Sequence, residues 1–149
     1  MLPDWIELCR LLSAHRAEYL VVGGQAVIAH GYPRLTKDMD LWVRPTAANG
    51  SLVLAALAAF GAALDGLTPE QFEDPRTLLM LGRDPFRVDI LMDIPAVTFD
   101  EAWSSRIYIT LDDVELPVIG KAHLIRNKRA VGRLQDLADA EELEKIDAS

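Results

Sequence analysis

From Tyr19 to Val43 the chain reads YLVVGGQAVIAHGYPRLTKDMDLWV, and its architecture follows from this segment. Side chains alternate between the two faces of a β-strand, so Asp38 and Asp40 project together if a strand runs from 38 to 43. Neighbouring carboxylates in apolar surroundings repel each other unless a proton or a cation neutralises them. Mg²⁺ is the usual neutraliser of an all-oxygen pair. The segment therefore predicts a metal and phosphate site between its glycine pair and Asp40.

Length and composition indicate one globular domain, 1–149, with a helical segment at about 120–146. Half of the 149 residues are hydrophobic, and the longest nearly apolar stretch, Leu52 to Leu64, is too short to span a bilayer. The N-terminus has an early acid and lacks the basic-then-apolar order of a signal peptide. We expect a cytoplasmic protein that does not contact the membrane.

Positive charge is concentrated near the C-terminus. The net charge is −8, yet five Lys or Arg and no acid lie between Lys121 and Gln135. A uniformly basic nucleic-acid binder is excluded, because affinity for backbone phosphates comes from accumulated positive charge. A local anion site is compatible with this pattern. The alternative is a solvated basic helix face that is balanced by the acidic tail after Asp136.

The pattern of apolar residues predicts a mixed arrangement of helices and strands. The expected helices are 4–16, 25–30, 46–60, 98–103, 121–130 and 133–146, with a single turn at 69–74. The expected strands are 18–22, 38–43, 77–81, 86–91, 106–111 and 114–119, and 61–66 is a short strand or turn. Strands three and four form a hairpin, and the last two form a second, peripheral hairpin. The fold class is α/β (α+β): a central mixed β-sheet flanked by helices, with a C-terminal helical pair.

A third acid lies in a later predicted strand. Arg87-Val-Asp89-Ile-Leu places Asp89 between apolar neighbours. If this strand lies beside 38–43, three carboxylates converge on one face of the sheet. Such a trio can hold two divalent cations roughly 3.5–4 Å apart. The alternative is that Asp89 pairs with a nearby arginine, either Arg87 or Arg83.

The glycine pair fits a phosphate site. Gly23 and Gly24 lie between a predicted strand and a predicted helix, where backbone N–H groups can point at an anion. A strand that ends in Gly-Gly is more often a plain turn. The combination of strand, Gly-Gly, short helix, Arg-x-Thr-x-Asp-x-Asp and a later strand Asp is far more specific than any one of its parts.

These residues resemble the nucleotidyltransferase superfamily typified by DNA polymerase beta. The shared pattern is hydrophobic-Gly-[Gly/Ser], ten or more residues, Asp-hydrophobic-Asp, and a third Asp on a later strand. The chain is most similar to small bacterial minimal nucleotidyltransferases, including those of the abortive-infection toxin type. The segment LIRNKRAVGRLQDLADAEEL also resembles their helical ending. The matched parts are Tyr19–Val43, Phe86–Leu91 and Leu124–Leu143, which make up less than half of the chain.

The resemblance implies a nucleotidyltransferase fold and transfer of a nucleoside monophosphate from an NTP to an acceptor hydroxyl. It implies two Mg²⁺ ions, with Mn²⁺ as the alternative. The residues implied as metal ligands and catalytic groups are Asp38, Asp40 and Asp89, and those implied for nucleotide binding are Gly23, Gly24, Arg34, Thr36 and Lys128. The sequence departs from one common form of the pattern at Gly24, where many members have Ser.

Several alternatives stay open at the level of sequence. The acceptor is a tRNA end, a protein side chain or a small molecule, and the protein is a candidate toxin of a toxin–antitoxin pair. The second hypothesis is a catalytically silent nucleotide-binding or regulatory module that acts through a partner protein. Asp136 and Asp139 share a helix face. A salt bridge from Arg133 to Asp136 and a catalytic role are equally compatible with this spacing.

Overall fold

The computed structural model describes residues 1–146, so the last three residues of the expected 1–149 domain lie outside the described part. The α-helices in this part are α1 (Pro3–Ala14), α2 (Gly23–Ala29), α3 (Ala47–Phe60), α4 (Phe99–Ser104), α5 (Lys121–Val131) and α6 (Leu134–Lys145). The strands are β1 (Tyr19–Val22), β2 (Met39–Val43), β3 (Leu78–Leu81), β4 (Val88–Leu91), β5 (Ile107–Leu111) and β6 (Val114–Val118). A 3₁₀ helix spans Pro69–Glu73, where a single turn was expected.

The six strands form one mixed sheet in the order β3-β4-β2-β1-β6-β5. Strand β2 is antiparallel to β1 and parallel to β4, and β1 is parallel to β6. Both predicted hairpins are present, because β3 pairs with β4 and β5 pairs with β6 in antiparallel fashion. The prediction of a central mixed sheet flanked by helices, with a helical pair at its C-terminal end, is confirmed.

The second hairpin is not peripheral, which corrects the expectation from sequence. Its strand β6 pairs with β1 at Val21 and Val118, and the Ile119 amide donates to the Val21 carbonyl at 3.1 Å. Four of the five residues of β6 are buried, whereas β5 is the exposed edge strand. The apolar face of β6 therefore forms part of the core.

Strand β2 begins one residue later than expected. Its parallel partner β4 starts at Val88, and the register pairs Met39 with Val88. The Met39 amide also donates to the Arg87 carbonyl at 3.2 Å. Asp38 therefore lies in the loop immediately before the strand, while Asp40 lies within it.

Helix α2 begins at the glycine pair itself, two residues earlier than expected. Gly23 has a φ of +65°, a backbone conformation that is strained for a residue with a side chain but not for glycine. This conformation turns the chain from β1 directly into the helix without an intervening loop. Gly23 and Gly24 therefore form the first turn of α2, where the backbone N–H groups have no partner within the helix.

The remaining helices pack around the sheet. Helix α1 contacts α3 and β6, α2 contacts β1, β2 and α5, and α5 packs against α6. Thr46 caps the start of α3, since its hydroxyl accepts from the Asn49 amide at 3.1 Å. Asn49 is buried inside α3 and bonds back to Glu18 and Arg44, which explains a polar residue at that position. Among the described helices, none combines the length and the apolar character needed to cross a bilayer.

Candidate functional site

A cavity of about 290 Å³ lies where three segments of the chain meet. These segments are the start of α2, the loop leading into β2, and the corner between α5 and α6. The cavity is lined by Gly23, Gly24, Arg34, Thr36, Asp38, Asp40, Lys128, Arg133, Gln135 and Asp136. Seven of the eight residues that the sequence singled out therefore surround one space, and the eighth, Asp89, lies directly beside Asp40.

The glycine pair is packed closely against the acidic loop and strand. A β-carbon on Gly23 would collide with the Asp40 carboxylate, and one on Gly24 would lie 2.6 Å from Thr36 Oγ1. No side chain larger than hydrogen fits at either position without movement of its neighbours. The backbone of the first helical turn is thereby exposed to the cavity, in the arrangement that favours an anionic group at a helix N-terminus.

Asp40 and Asp89 are register partners on the adjacent parallel strands β2 and β4. Their side chains therefore project from the same face of the sheet. Burial, followed by repulsion from Asp89 and Asp38, raises the pKa of Asp40 to about 6, although Lys128 and Arg87 act to lower it. Asp40 is therefore a buried carboxyl group with two other acids close to it.

Asp89 has a partner that the sequence offered as the alternative. Arg87 Nε donates to Asp89 Oδ1 at 2.9 Å, and Arg87 Nη2 donates to Oδ2 at 3.0 Å. Both carboxylate oxygens thus accept from one guanidinium group. Asp89 is buried and does not line the cavity. Of the three acids expected to bind metal, only Asp38 and Asp40 therefore line that space.

The donor set of this cavity fits a hard divalent cation at two carboxylates. Asp38 and Asp40 offer oxygen ligands only, which Mg²⁺ and Mn²⁺ prefer. A cation there would offset the burial and the repulsion from Asp89 and Asp38, which together raise the pKa of Asp40. Within residues 1–146, however, no three His, Cys, Asp or Glu side chains are grouped closely enough to hold a metal. The third carboxylate of the expected trio is engaged with Arg87 instead.

Lys128 reaches the cavity from the buried face of α5. It is only 6% exposed, and its Nζ lies 3.1 Å from Asp136 Oδ1 and 3.1 Å from Asp139 Oδ2. A buried ammonium needs such partners, because an unpaired buried charge is strongly unfavourable. The basic segment therefore turns at least this lysine inward and is not simply a solvated face.

Two further cations are attached to the same carboxylates. Arg34 Nη2 donates to Asp139 Oδ2 at 3.0 Å, which joins the loop before β2 to α6. Arg133 Nε donates to Asp136 Oδ2 at 2.7 Å. Burial acts to raise the pKa of Asp136, but hydrogen bonds from Arg133 and Lys128 outweigh it and hold the pKa below its usual value.

Asp139, Asp136, Arg133 and Gln135 were not among the site residues expected from the sequence. The sequence indicated that Asp136 and Asp139 share a helix face, and a salt bridge from Arg133 to Asp136 was one of two interpretations. The structure contains that bridge and adds the two pairs to Lys128. Asp139 is fully buried and also accepts from Gln135 Nε2 at 2.8 Å. An Asp-x-x-Asp pattern next to a basic helix is a signal for such an arrangement.

Trp42 does not line the cavity. It follows Asp40 by two residues on the same strand but is fully buried. Its ring meets Phe99 edge-on at a centroid distance of 5.1 Å. Trp42 therefore belongs to the core beneath the site.

The cavity thus combines three features. A helix N-terminus begins with two glycines, two carboxylates line the space, and cationic side chains are paired with buried acids. The first and third features favour a polyanion such as a triphosphate, and the second favours a divalent cation. Phosphoryl transfer depends mostly on positioning and on charge stabilisation, which such features supply.

The fold of the chain is similar to that of two solved structures. No protein-family model and no curated protein matches the chain. The lincosamide antibiotic adenylyltransferase LnuA in its lincomycin-bound form is 16% identical, with a TM-score of 0.65, and the match covers 99% of this chain and 98% of that one. A protein from Thermotoga maritima described as a nucleotidyltransferase is 15% identical, with a TM-score of 0.59, and the match covers 97% and 93%. The chain therefore has the nucleotidyltransferase fold that the sequence resemblance implied.

Proposed function

We propose that the protein is a Mg²⁺-dependent nucleotidyltransferase, which moves a nucleoside monophosphate from an NTP to an acceptor hydroxyl. The observation that carries this proposal is the single cavity in which Asp38 and Asp40 face Lys128 and the glycine turn. A fold alone does not specify an activity, but these groups in this fold match the requirements of the reaction. Magnesium dependence, the nucleotide and the acceptor are parts of the proposal.

The triphosphate would bind between the start of α2 and the C-terminal helices. Backbone N–H groups of Gly23 and Gly24 would donate to phosphate oxygens, as helix N-termini commonly do. Lys128 and Arg34 would supply positive charge, and Thr36 would donate through its hydroxyl. Because Asp136 and Asp139 already hold these cations in place, the nucleotide meets an ordered set of donors.

Asp38 and Asp40 would hold the divalent cation. When bound, Mg²⁺ or Mn²⁺ would neutralise charge on the phosphates and lower the pKa of the attacking hydroxyl. For a second ion, Asp89 would have to join Asp40, and Arg87 would first have to give up its forked contact. Asp40 and Asp89 are suitably placed for this, because they are register partners on adjacent strands.

In the transfer step, the acceptor oxygen forms a bond to the α-phosphorus of the NTP. The bond from that phosphorus to the oxygen bridging to the β-phosphate breaks, and pyrophosphate leaves with the electron pair. The proton of the acceptor hydroxyl passes to a carboxylate, for which Asp89 is the candidate. The positive groups around the cavity would stabilise the charge that develops on the leaving pyrophosphate.

A second candidate function is favoured by one observation. The fork between Arg87 and Asp89 occupies the acid that would complete the metal centre. If the fork persists with nucleotide bound, the protein would be a silent nucleotide-binding or regulatory module that acts through a partner protein. The presence of Asp38 just before β2, together with Asp40 and Asp89 on adjacent strands, favours the enzyme.

Incubation of the protein with each labelled NTP, Mg²⁺ or Mn²⁺, and a set of acceptors tests the proposal. The acceptors are total cell RNA, total cell protein and hydroxylated small molecules, with Asp40→Asn as the matched inactive control. We expect transfer of label to one acceptor class by the parent only. Binding of NTP without transfer to any of them would instead support the silent module.

The role of toxin in a toxin–antitoxin pair is a further part of the proposal and needs a separate test. Induced expression should arrest growth, Asp40→Asn should abolish the arrest, and co-expression of a neighbouring gene should relieve it. Growth unaffected by expression of an active enzyme would contradict the toxin role and leave the transferase proposal standing.

A further inference from the structure

The six-stranded sheet has two free edges, and strand β5 forms one of them. Its five residues, Ile107–Leu111, read Ile-Tyr-Ile-Thr-Leu and include no charged residue and no proline. Proteins usually protect an edge strand with a lysine, a proline or a bulge, because its unpaired backbone groups can pair with another chain. Strand β5 pairs with β6 in continuous register, without a bulge. It therefore has none of these protections and can accept a further strand.

The hairpin turn determines which backbone groups of β5 are free. Leu111 pairs with Val114 across the two-residue turn Asp112-Asp113, in which both residues have a positive φ. In such a hairpin the pair next to the turn exchanges both backbone hydrogen bonds. Along an antiparallel ladder, pairs of this kind alternate with pairs that exchange none. Tyr108 and Thr110 therefore direct their N–H and C=O groups away from β6, toward the open edge.

The same edge leaves apolar side chains partly uncovered. Ile107, Ile109 and Leu111 lie opposite residues of β6 that are all buried. The three β5 side chains are less well covered, since Ile107 is 37% exposed and the other two are only half-buried. On the opposite face of the strand, Tyr108 is 51% exposed. A strand added to this edge would cover apolar surface on both faces.

The sequence of β5 is complementary to itself in one antiparallel register. A two-fold axis at Ile109 places Ile109 opposite its own copy, with Ile107 opposite Leu111 and Tyr108 opposite Thr110. Apolar residues then meet on one face, and an aromatic residue meets a β-branched residue on the other, which is a favourable cross-strand pair. Tyr108 and Thr110, whose backbone groups are free, become the pair that exchanges hydrogen bonds. No other antiparallel register pairs all five residues of both strands.

The residues that flank the strand carry opposite charges. In this register Arg106 of one copy lies opposite Asp112 of the other, and the symmetry repeats the pair at the far end. Arg106 donates through Nε to Tyr108 Oη and through Nη1 to the Trp103 carbonyl, which leaves Nη2 without a partner in the described part of the chain. Asp112 forms no ion pair within residues 1–146. The two groups do not meet within one copy, because six residues of extended chain separate them by roughly 20 Å.

The other free edge, strand β3, lacks these properties. It has only four residues, and Arg76 before the strand already donates two hydrogen bonds to the Asp74 carboxylate, each at 3.1 Å. Gly82, with a φ of +71°, turns the chain before Asp84, the nearest acid after the strand. Strand β5 is therefore the edge that has free charges of opposite sign in a self-complementary register.

We propose that strand β5 is a self-association surface, on which a second copy of the chain pairs in antiparallel fashion about Ile109. The two sheets of six strands then join into one continuous sheet. The contact uses none of the residues that line the candidate nucleotide site, and the inference does not depend on the proposed function. Five residues a side is a small contact beside the roughly 20–30 residues a side of a standard interface. Dimerisation is therefore weak and depends on protein concentration.

Sedimentation equilibrium of the full chain, at concentrations up to the millimolar range, measures this association. We expect the average mass to rise with concentration from 16.5 kDa toward twice that value. Arg106→Glu and Asp112→Lys each place like charges opposite one another at both ends of the paired strands. Each variant alone should therefore dimerise more weakly than the parent by about tenfold or more.

An equimolar mixture of these two variants provides the decisive measurement. Between unlike copies, charges of opposite sign again face each other at both ends, so the mixture should dimerise about as well as the parent. Damage to the fold by either substitution would not be repaired by mixing. Glu115→Lys is the matched control, because it makes the same change of charge on β6, which is not an edge strand. Its dimerisation should equal that of the parent.

The fold of each variant must be checked before masses are compared. Asp112 has a φ of +48°, so a lysine there strains the turn, and circular dichroism with thermal unfolding shows whether the variant is folded. Asp112→Asn, which tolerates a positive φ, is the second variant and should weaken dimerisation less than Asp112→Lys does. The inference is overturned if the parent stays monomeric throughout. It is also overturned if Glu115→Lys changes dimerisation as much as Asp112→Lys does, or if mixing restores nothing.

Discussion

The side chain of Thr36 occupies the space beside Gly24 that any larger residue at position 24 would need. A β-carbon on Gly24 would lie 2.6 Å from Thr36 Oγ1 and 2.9 Å from Thr36 Cβ. In the superfamily that the sequence resembles, many members have Ser where this chain has Gly24. Both residues line the same cavity, so Thr36 places a hydroxyl close to where that serine would place one.

We predict that Gly24→Ser destabilises the protein and that Thr36→Ala restores part of the loss. Overpacking of a filled site costs typically about 1–3 kcal/mol. Because the two side chains compete for one space, their effects should not add, with a coupling of roughly 0.5–3 kcal/mol. Urea unfolding of both single variants and of the double variant measures this coupling. Additive effects would show that Thr36 moves aside without cost.

Mg²⁺ with an NTP should raise the thermal stability of the protein, because a ligand that binds only the folded state stabilises it. At a concentration of one hundred times Kd the gain is about 2.7 kcal/mol. Asp38→Asn and Asp40→Asn should abolish most of this gain. Without ligand, both variants should be as stable as the parent or more stable, since each removes a carboxylate from a partly buried group of repelling acids. Thermal unfolding with and without ligand checks both expectations.

The stability of the metal-free protein should depend on pH through Asp40. Burial and the neighbouring acids raise the pKa of Asp40 to about 6 from an ordinary value of 3.8, so the folded state holds this proton more tightly than the unfolded state. Its contribution to stability is therefore full below about pH 4 and is lost as the pH rises through about 6. Asp40→Asn lacks this dependence. The stability advantage of Asp40→Asn over the parent, measured in EDTA, should shrink as the pH falls from 7 to 4. A constant difference would contradict the raised pKa.

Local geometry explains which parts of the site the sequence could predict. Alternation along a strand places Asp40 and Asp89 on one face once their strands are adjacent, and a glycine pair after a strand marks a tight turn. These features depend on residues close together in sequence. The C-terminal helical pair was predictable for the same reason, and the mixed sheet was predicted from the interleaved order of helices and strands.

Long-range pairing explains what the sequence did not reveal. Arg34 and Asp139 are 105 positions apart, and their contact depends on how α6 packs beside the loop before β2. The position of β6 between β1 and β5 depends likewise on its pairing with β1, which no local pattern encodes. The fork from Arg87 to Asp89 is local, and the sequence offered it only as an alternative to a metal role.

We predict that Arg87→Gln increases the affinity of the site for Mn²⁺. Arg87 engages both carboxylate oxygens of Asp89, so it competes with any cation that would use them. Glutamine removes the charge and the fork while keeping a polar side chain. Arg83→Gln is the matched control, because Arg83 is exposed in the same loop and makes no contact with Asp89. Direct titration of Mn²⁺ by electron paramagnetic resonance measures both variants. Equal affinities for parent and Arg87→Gln would mean that Asp89 takes no part in metal binding.

Lys128→Ala should weaken NTP binding, whereas Lys145→Ala should not. Lys128 is 6% exposed and lines the cavity, but the side chain of Lys145 is 61% exposed and pairs with Glu142 on the outer face of α6. Loss of the Lys128 ammonium removes a cation from the triphosphate site and leaves Asp136 and Asp139 short of a buried partner. Breaking a buried pair in this way costs about 3–5 kcal/mol. NTP affinity must therefore be compared by equilibrium dialysis at a temperature where circular dichroism shows both variants folded. Weaker binding by Lys128→Ala alone supports its contact with the nucleotide. Equal affinities would remove Lys128 from the nucleotide site and leave it the structural role of neutralising two buried acids.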